Sequence, residues 1–187
     1  MNAEASQLLD CARRESDPVW RKLCVVAAIT RALETQNIRP VVIGGTAVAF
    51  YTLGGYMTED IDLAVIGRAQ FAEALAMLGF VRQGRLWQHP DFDFPVEAPA
   101  DALAGEDAPR TTINVNGVTV TVIGIEDLII DRLNAHVHWR SASDGEWVLA
   151  LLQLHGKAVD WSYLEHKACE HKTEAALTTI RERLRDA

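Results

Sequence analysis

The sequence predicts an α/β (α+β) fold: a small mixed β-sheet with flanking helices, followed by a helical C-terminal part. Three observations predict it. Short apolar runs with strand character, "RPVVIGG" and "DIDLAVI", alternate with helical segments between residues 38 and 124. The run "TTINVNGVTVTVIG" alternates on either side of Asn116-Gly117, the preferred pair for a two-residue hairpin turn. From Ile125 onward only helical periodicity remains.

Taken in order, residues 3–15 form a short helix. Asp17-Pro18 opens a second over about 18–36, with Asp17 as N-cap and Pro18 at the first helical position. Leu23, Val26, Ile29 and Leu33 give that helix an apolar face. "RPVVIGG" is a buried strand stopped by glycine, and Thr46 to Leu53 is a helix that starts on the glycines and breaks at Gly54-Gly55. "DIDLAVI" is the next strand. "RAQFAEALAMLGF" is an amphipathic helix ending at Gly79, and "DFDFPVEAP" a third strand with Pro95 at an edge or bulge. The hairpin follows, then four helices: "IEDLIIDRLNAHVHW", "DGEWVLALLQLHG", "DWSYLEHKACEH" and "TEAALTTIRERLRD". The expected organisation is N-terminal helices over 1–37, an α/β core over 38–124 and a helical part over 125–187. No Pro/Gly/Ser-rich linker interrupts it, so one compact unit is expected.

Composition narrows the function classes. Of the 187 residues, 49% are hydrophobic and 24% charged, as in an ordinary globular protein. The net charge of −8 argues against a general nucleic-acid binder, whose affinity rests on neutralising phosphates, but leaves room for a local basic patch. Cys11, Cys24 and Cys169 are far apart in sequence and lack metal-ligand spacing, so they read as reduced, mostly buried thiols of a cytoplasmic protein. The N-terminus is polar, unlike a signal peptide, and no apolar run approaches the roughly 18 residues that span a bilayer.

The chemistry concentrates in Ile43 to Val65, "IGGTAVAFYTLGGYMTEDIDLAV". Side chains alternate along a strand, so Asp60 and Asp62 share one face, with Cα atoms about 7 Å apart, while Ile61 and Leu63 point to the other. Two ionised carboxylates buried together repel. A divalent cation between them removes the conflict, and Mg²⁺ is commonly held by one or two carboxylates plus substrate phosphates. A strand ending on Gly44-Gly45-Thr46 and turning into a helix leaves free backbone N–H groups, a ready anion site. A phosphate cradle beside a metal shelf is what a metal–nucleoside triphosphate needs.

These residues resemble the polymerase-beta-like nucleotidyltransferase superfamily. "VVIGGTAVAFYTLGGYMTEDIDLAV" is similar to its core motif of hydrophobic-Gly-Gly/Ser, helix, then Asp-hydrophobic-Asp. The nearer likeness is to minimal bacterial members related to the toxin of abortive-infection type IV toxin–antitoxin systems, with "IEDLIIDRLNAHVHWRSASDGEW" similar to a later segment of those proteins. The resemblance covers about residues 22–152. It implies a metal-dependent nucleotidyltransferase that moves a nucleotide from a nucleoside triphosphate to an acceptor hydroxyl on an RNA end such as tRNA, a protein or a small molecule. It also implies two Mg²⁺ or Mn²⁺ ions held by Asp60 and Asp62 with a third carboxylate, phosphate contacts from Gly44, Gly45, Thr46 and Arg132, and an antitoxin-like partner. Asp144 falls where relatives often have Asp. Asp93 and Glu97 are both candidates for the third carboxylate, but lie about 13 Å apart on one strand, so both cannot serve one ion; Glu97 is preferred. Glu in place of the usual Asp, and Tyr56 where relatives tend to carry Arg, depart from the pattern.

Alternatives stay open. Asp60 and Asp62 as solvated carboxylates, Gly44-Gly45 as a simple turn, Arg132 in a structural salt bridge and Asp144 as an N-cap are the plainer readings. His136 and His138 are two apart on a helix and face different directions, so with Trp139 they read as packing or surface groups. "EHKACEHK" reads as a solvated face with one buried Cys. A catalytically weak nucleotide-binding module, or an interaction protein with an exposed aromatic patch around Trp139, Trp147 and Trp161, would use the same sequence differently.

Overall fold

The computed structural model describes residues 3–101 and 108–185. These fall into two units, Met1–Ile123 and Gly124–Ala187.

The first unit is built around a helix that water barely reaches. Helix α1 (Ala3–Arg14) buries Ala5, Leu8, Leu9 and Ala12. Helix α2 (Pro18–Leu33) begins as the sequence predicts: the Asp17 carboxylate accepts from the backbone N–H of Val19 at 2.9 Å and of Trp20 at 2.8 Å. Not only the predicted stripe but also Cys24, Val25, Ala27 and Ala28 of α2 are buried. Over Leu23–Ile29 the helix is apolar on all sides and must be covered on all sides; α1 lies on it, and so does the sheet.

The strands are β1 (Val41–Ile43), β2 (Ile61–Ala64), β3 (Val81–Gln83), β4 (Leu86–Gln88), β5 (Val96–Ala100), β6 (Arg110–Val115) and β7 (Val118–Ile123). They form one mixed sheet in the order β3-β4-β5-β2-β1-β7-β6. Strand β2 runs antiparallel to β1 and parallel to β5, and β1 runs parallel to β7. Helix α3 (Gly44–Tyr51) follows β1 directly, two residues earlier than predicted, and α4 (Arg68–Met77) follows β2. The β6–β7 turn is the predicted one: Val115 pairs with Val118, and Asn116 and Gly117 take φ of 50° and 85°, as a type I′ turn requires.

The expected strand pattern fails at the opposite sheet edge. The third strand begins at Val96, not at Asp91. Residues 91–95 are irregular and drive Phe92 and Phe94 into the core, leaving Asp91 and Asp93 outside. The hairpin of β3 and β4, turning at Gly84-Arg85, went unread because its exposed three-residue strands carry no burial alternation.

The second unit contains α5 (Ile125–His138), α6 (Ala142–His155), α7 (Trp161–Glu170) and α8 (Glu174–Arg185). Arg183 of α8 makes a two-pronged bond to Glu146 of α6, both arms at 3.0 Å, and Arg181 stacks 4.3 Å over the Trp161 ring. Trp161 also donates its Nε1–H to Gly156 O, so of the three tryptophans in the expected patch only Trp139, 74% exposed, is strongly exposed. Among the described residues, no helix is long and apolar enough to cross a membrane.

Candidate active site

Strand β2 places its side chains as period-two alternation demands. Ile61 and Leu63 are fully buried, while Asp60, just ahead of the strand, and Asp62 are half-buried on the other face. The decisive register lies on either side of Asp62: it is level with Ile43 of β1 and with Glu97 of β5. Glu97 therefore stands one strand spacing, about 4.8 Å, from Asp62 on the same sheet face. Asp93 lies off the strand with its side chain 80% exposed, and pairs with Arg21 at 3.4 Å. Of the two candidates for a third carboxylate, the fold brings Glu97 to the aspartates.

The glycines are placed by these acids. Gly44 has a φ of 58°, and a Cβ there would sit 2.9 Å from Asp62 Cγ and nearer still to its Oδ2. A Cβ on Gly45 would meet Thr58 Oγ1 at 2.5 Å. The room that the missing side chains release is thus taken by Asp62 and Thr58. Their backbone still opens α3, whose N-cap residue Ile43 has no side-chain capping bond, so a helix start rich in N–H groups lies beside the aspartates.

Thr46 is fully buried and donates its hydroxyl to the Asp60 carbonyl at 2.9 Å. It fixes the start of β2 instead of presenting a free hydroxyl. Thr58, which the sequence does not single out, donates its Oγ1–H to Asp60 Oδ1 at 2.8 Å. Behind it, Lys22 donates from Nζ to the Thr58 carbonyl. Burial lowers the Lys22 pKa, against the opposing pull of Asp60, Asp93, Asp62 and Glu59. The sequence did carry a signal for Lys22: it occupies the first place of the stripe Lys22, Val26, Ile29, Leu33, the one charge on an apolar helix face.

Asp60 and Glu97 open onto a cleft of about 620 Å³, which Arg21, Lys22, Arg85, Asp93 and Phe94 also line. Arg21 lies over the rings of Phe92 and Phe94 at 5.7 and 5.6 Å. Arg85, at the β3–β4 turn, faces Glu97 with Nε 3.4 Å from Oε2. The cleft is thus lined by both acids and cations.

The three carboxylates offer donors of the kind a hard divalent cation takes: oxygen only, from neighbouring strands, on one face. As they stand, among the described residues no three Asp, Glu, His or Cys side chains converge closely enough to enclose an ion. Asp60 is bonded to Thr58, and Glu97 faces Arg85.

Arg132 lies in the second unit, where its guanidinium bonds Asp144 at 2.9 Å and Asp131 at 2.6 Å. Asp144 is not the N-cap of α6. Ser141 is, its hydroxyl accepting from the Asp144 N–H, which leaves the Asp144 carboxylate for Arg132. His136 and His138 bond backbone carbonyls, those of Ser141 and His171.

One cysteine expectation needs correction. Cys169 is exposed on α7, because its neighbours Leu164 and Ala168 take the buried face. Cys11 and Cys24, distant in sequence, lie with their sulfurs 3.9 Å apart where α1 crosses α2; Asn116 donates to both, and burial pushes the Cys24 thiol up to about 12.

No protein-family model matches the chain, and no curated protein matches it. Solved structures do. A crystal structure of an antigenic nucleotidyltransferase-like protein from Paracoccidioides brasiliensis aligns with a TM-score of 0.66 at 20% identity, covering 91% of this chain and 90% of that one. The solution structure of the antibiotic-resistance factor ANT(2″)-Ia aligns with a TM-score of 0.51 at 18% identity over 83% and 93% of the two chains. Its crystal structure in complex with adenylyl-2″-tobramycin gives 0.50 at 18% over 87% and 98%. The fold is therefore nucleotidyltransferase-like.

Proposed function

We propose that this chain is a metal-dependent nucleotidyltransferase that moves a nucleotide from a nucleoside triphosphate to an acceptor hydroxyl. The observation that carries the reading is the row across the sheet: Asp60 just ahead of β2, Asp62 on it, Glu97 level with Asp62 on β5, and the uncapped start of α3 beside them. The nucleotidyltransferase-like fold supports it, as does the adenylylated acceptor, adenylyl-2″-tobramycin, in one of the similar structures.

In the transfer, the acceptor hydroxyl oxygen attacks the α-phosphorus and gives up its proton to solvent, the bond to the bridging oxygen breaks and pyrophosphate leaves. Asp60 and Asp62 would hold Mg²⁺ or Mn²⁺ ions, two with the triphosphate bound, and Glu97 would complete the set after turning from Arg85. Bound there, the ions would supply charge neutralisation for the attacking and leaving oxygens. The backbone of Gly44 and Gly45 at the start of α3 would bind phosphate. Thr46 and Thr58 hold the Asp60 backbone and carboxylate, and Arg21, Lys22 and Arg85 give the cleft positive charge toward an anionic substrate. Arg132, which pairs with Asp144 and Asp131, is the cation that the sequence resemblance assigns to phosphate. The acceptor classes remain an RNA end such as tRNA, a protein or a small molecule; a toxin role in the cytoplasm, with an antitoxin-like partner, follows from the sequence resemblance.

The test is transfer of label from each α-phosphate-labelled triphosphate, with Mg²⁺ or Mn²⁺, into RNA, protein and small-molecule fractions. Incorporation in wild type and its loss in Asp62→Asn support the reading. No incorporation into any fraction, with triphosphate still bound, favours a second reading, a nucleotide-binding module without turnover. The Arg85–Glu97 pairing, in which the third carboxylate already faces a cation, is the observation on its side.

A further inference from the structure

Lysines are almost never fully buried unless paired. Lys22 is only 7% exposed. Its ammonium donates to the Thr58 carbonyl, lies 5.4 Å from the centre of the Phe94 ring and lines the cleft in which Asp60 stands. A neutral donor would satisfy the Thr58 carbonyl without the desolvation that a charge incurs. What a neutral donor would lack is attraction to acids, and Asp60, Asp62, Asp93 and Glu59 all act on this ammonium. Thr58 also ties the two ends mechanically: its carbonyl accepts from the Lys22 ammonium and its hydroxyl holds Asp60 Oδ1.

We propose that Lys22 is a fixed positive charge built against the aspartate pair, a positioning residue that sets the affinity of Asp60 and Asp62 for a divalent cation. The inference rests on the reading of that pair as a metal shelf. While no ion is bound, the ammonium offsets the mutual repulsion of the carboxylates and keeps them in place. When a cation arrives, the same charge opposes it, so metal alone binds weakly. A triphosphate, negatively charged, reverses the balance by drawing on both cations at once. Metal and nucleotide binding are then coupled through Lys22, and the coupling is reciprocal.

The experiment titrates Mn²⁺ alone, followed by the paramagnetic signal of the free ion, into the full chain and its Lys22→Gln, Lys22→Met and Lys22→Arg variants. Circular dichroism checks their folding. Gln keeps a donor for Thr58 without the charge, Met keeps only the volume, and Arg keeps the charge. The expected result is at least about fivefold tighter Mn²⁺ binding in the neutral variants, the lower end of coupling between linked sites, and a Kd within about twofold of wild type in Lys22→Arg. A residue that merely supports the fold would give weaker binding when replaced, and unchanged or weaker binding in Lys22→Gln overturns the proposal; Lys22→Met decides between the same two outcomes should Gln not fold. Failure of both wild type and Lys22→Gln to bind Mn²⁺ would remove the metal shelf itself. Binding in wild type with a Kd unmoved by Lys22→Gln would remove only the role of Lys22.

Discussion

Replacing Gly44 by Ala should damage the protein in two separable ways. The first is conformational: an L-residue at a φ of 58° costs about 1–2 kcal/mol. The second is steric: the new Cβ would stand 2.9 Å from Asp62 Cγ and closer to its Oδ2, so the carboxylate must move. Overpacking of that kind costs about 1–3 kcal/mol. Gly54 supplies the control. Its φ of 84° is at least as unfavourable for Ala, but a Cβ there meets only Val19 Cγ2 at an ordinary 3.9 Å. Gly54→Ala should therefore lose about 1–2 kcal/mol and Gly44→Ala about 2–5 kcal/mol in urea unfolding. At about 2–4 °C per kcal/mol for a chain of this size, the difference in Tm between the two is about 2–12 °C. Gly44→Ala should also lose Mn²⁺ binding, because Asp62 is the group displaced, while Gly54→Ala keeps it. Equal stability and equal metal binding in the two variants would refute the claim that Gly44 is there to seat Asp62.

Three further outcomes follow from the same structure. Thr58→Val removes the hydroxyl that holds Asp60 Oδ1 and should weaken Mn²⁺ binding; a hydrogen bond to a charged group contributes about 1.5–3 kcal/mol, so calorimetric titration should show a loss of about tenfold or more. Ser141→Ala removes the cap of α6 and should cost about 1 kcal/mol in unfolding of the second unit, with metal binding unchanged. His89 is buried among Phe80 and Phe92, and its burial lowers its pKa below the usual 6.5, Asp91 opposing and Arg13 assisting. The unfolded chain therefore binds the proton more readily, so this contribution to stability is full above pH about 6.5 and is lost as pH falls below it. His89→Gln should flatten the dependence of stability on pH between about 7.5 and 5.5; an unchanged slope would assign that dependence to other groups.

What was legible in the sequence was local. Asp17-Pro18 announces a helix start, Asn116-Gly117 a hairpin, and "DID" in an apolar run two acids on one face, because each signal lies within a few residues of its consequence. Non-local pairing was not legible. That Glu97 stands level with Asp62 is a register between strands separated by a helix and a hairpin, and period-two counting along "DFDFPVEAP" put Asp93 on the same strand face as Glu97 by treating an irregular segment as strand. Cys11 and Cys24 meet because α1 folds back on α2, which their spacing does not disclose. Thr46 looked like a phosphate ligand because a hydroxyl after two glycines fits one; only the structure shows Asp60 O accepting it. Lys22 was readable in principle, as a charge in an apolar stripe, and the reason for it is the acid pair on another element.

The most direct test of the central claim is a thermal shift of wild type and Asp62→Asn with each nucleoside triphosphate, with and without Mg²⁺ or Mn²⁺. A ligand at about 100 times its Kd stabilises by roughly 2.7 kcal/mol, on the order of 5–10 °C for a chain of this size. A metal-dependent shift in wild type that disappears in Asp62→Asn is the predicted result, and the triphosphate giving it names the preferred base. A folded wild type that shifts with no triphosphate, or shifts equally with metal withheld and with Asp62 replaced, would contradict the account and leave Asp60 and Asp62 as two solvated carboxylates beside a glycine turn.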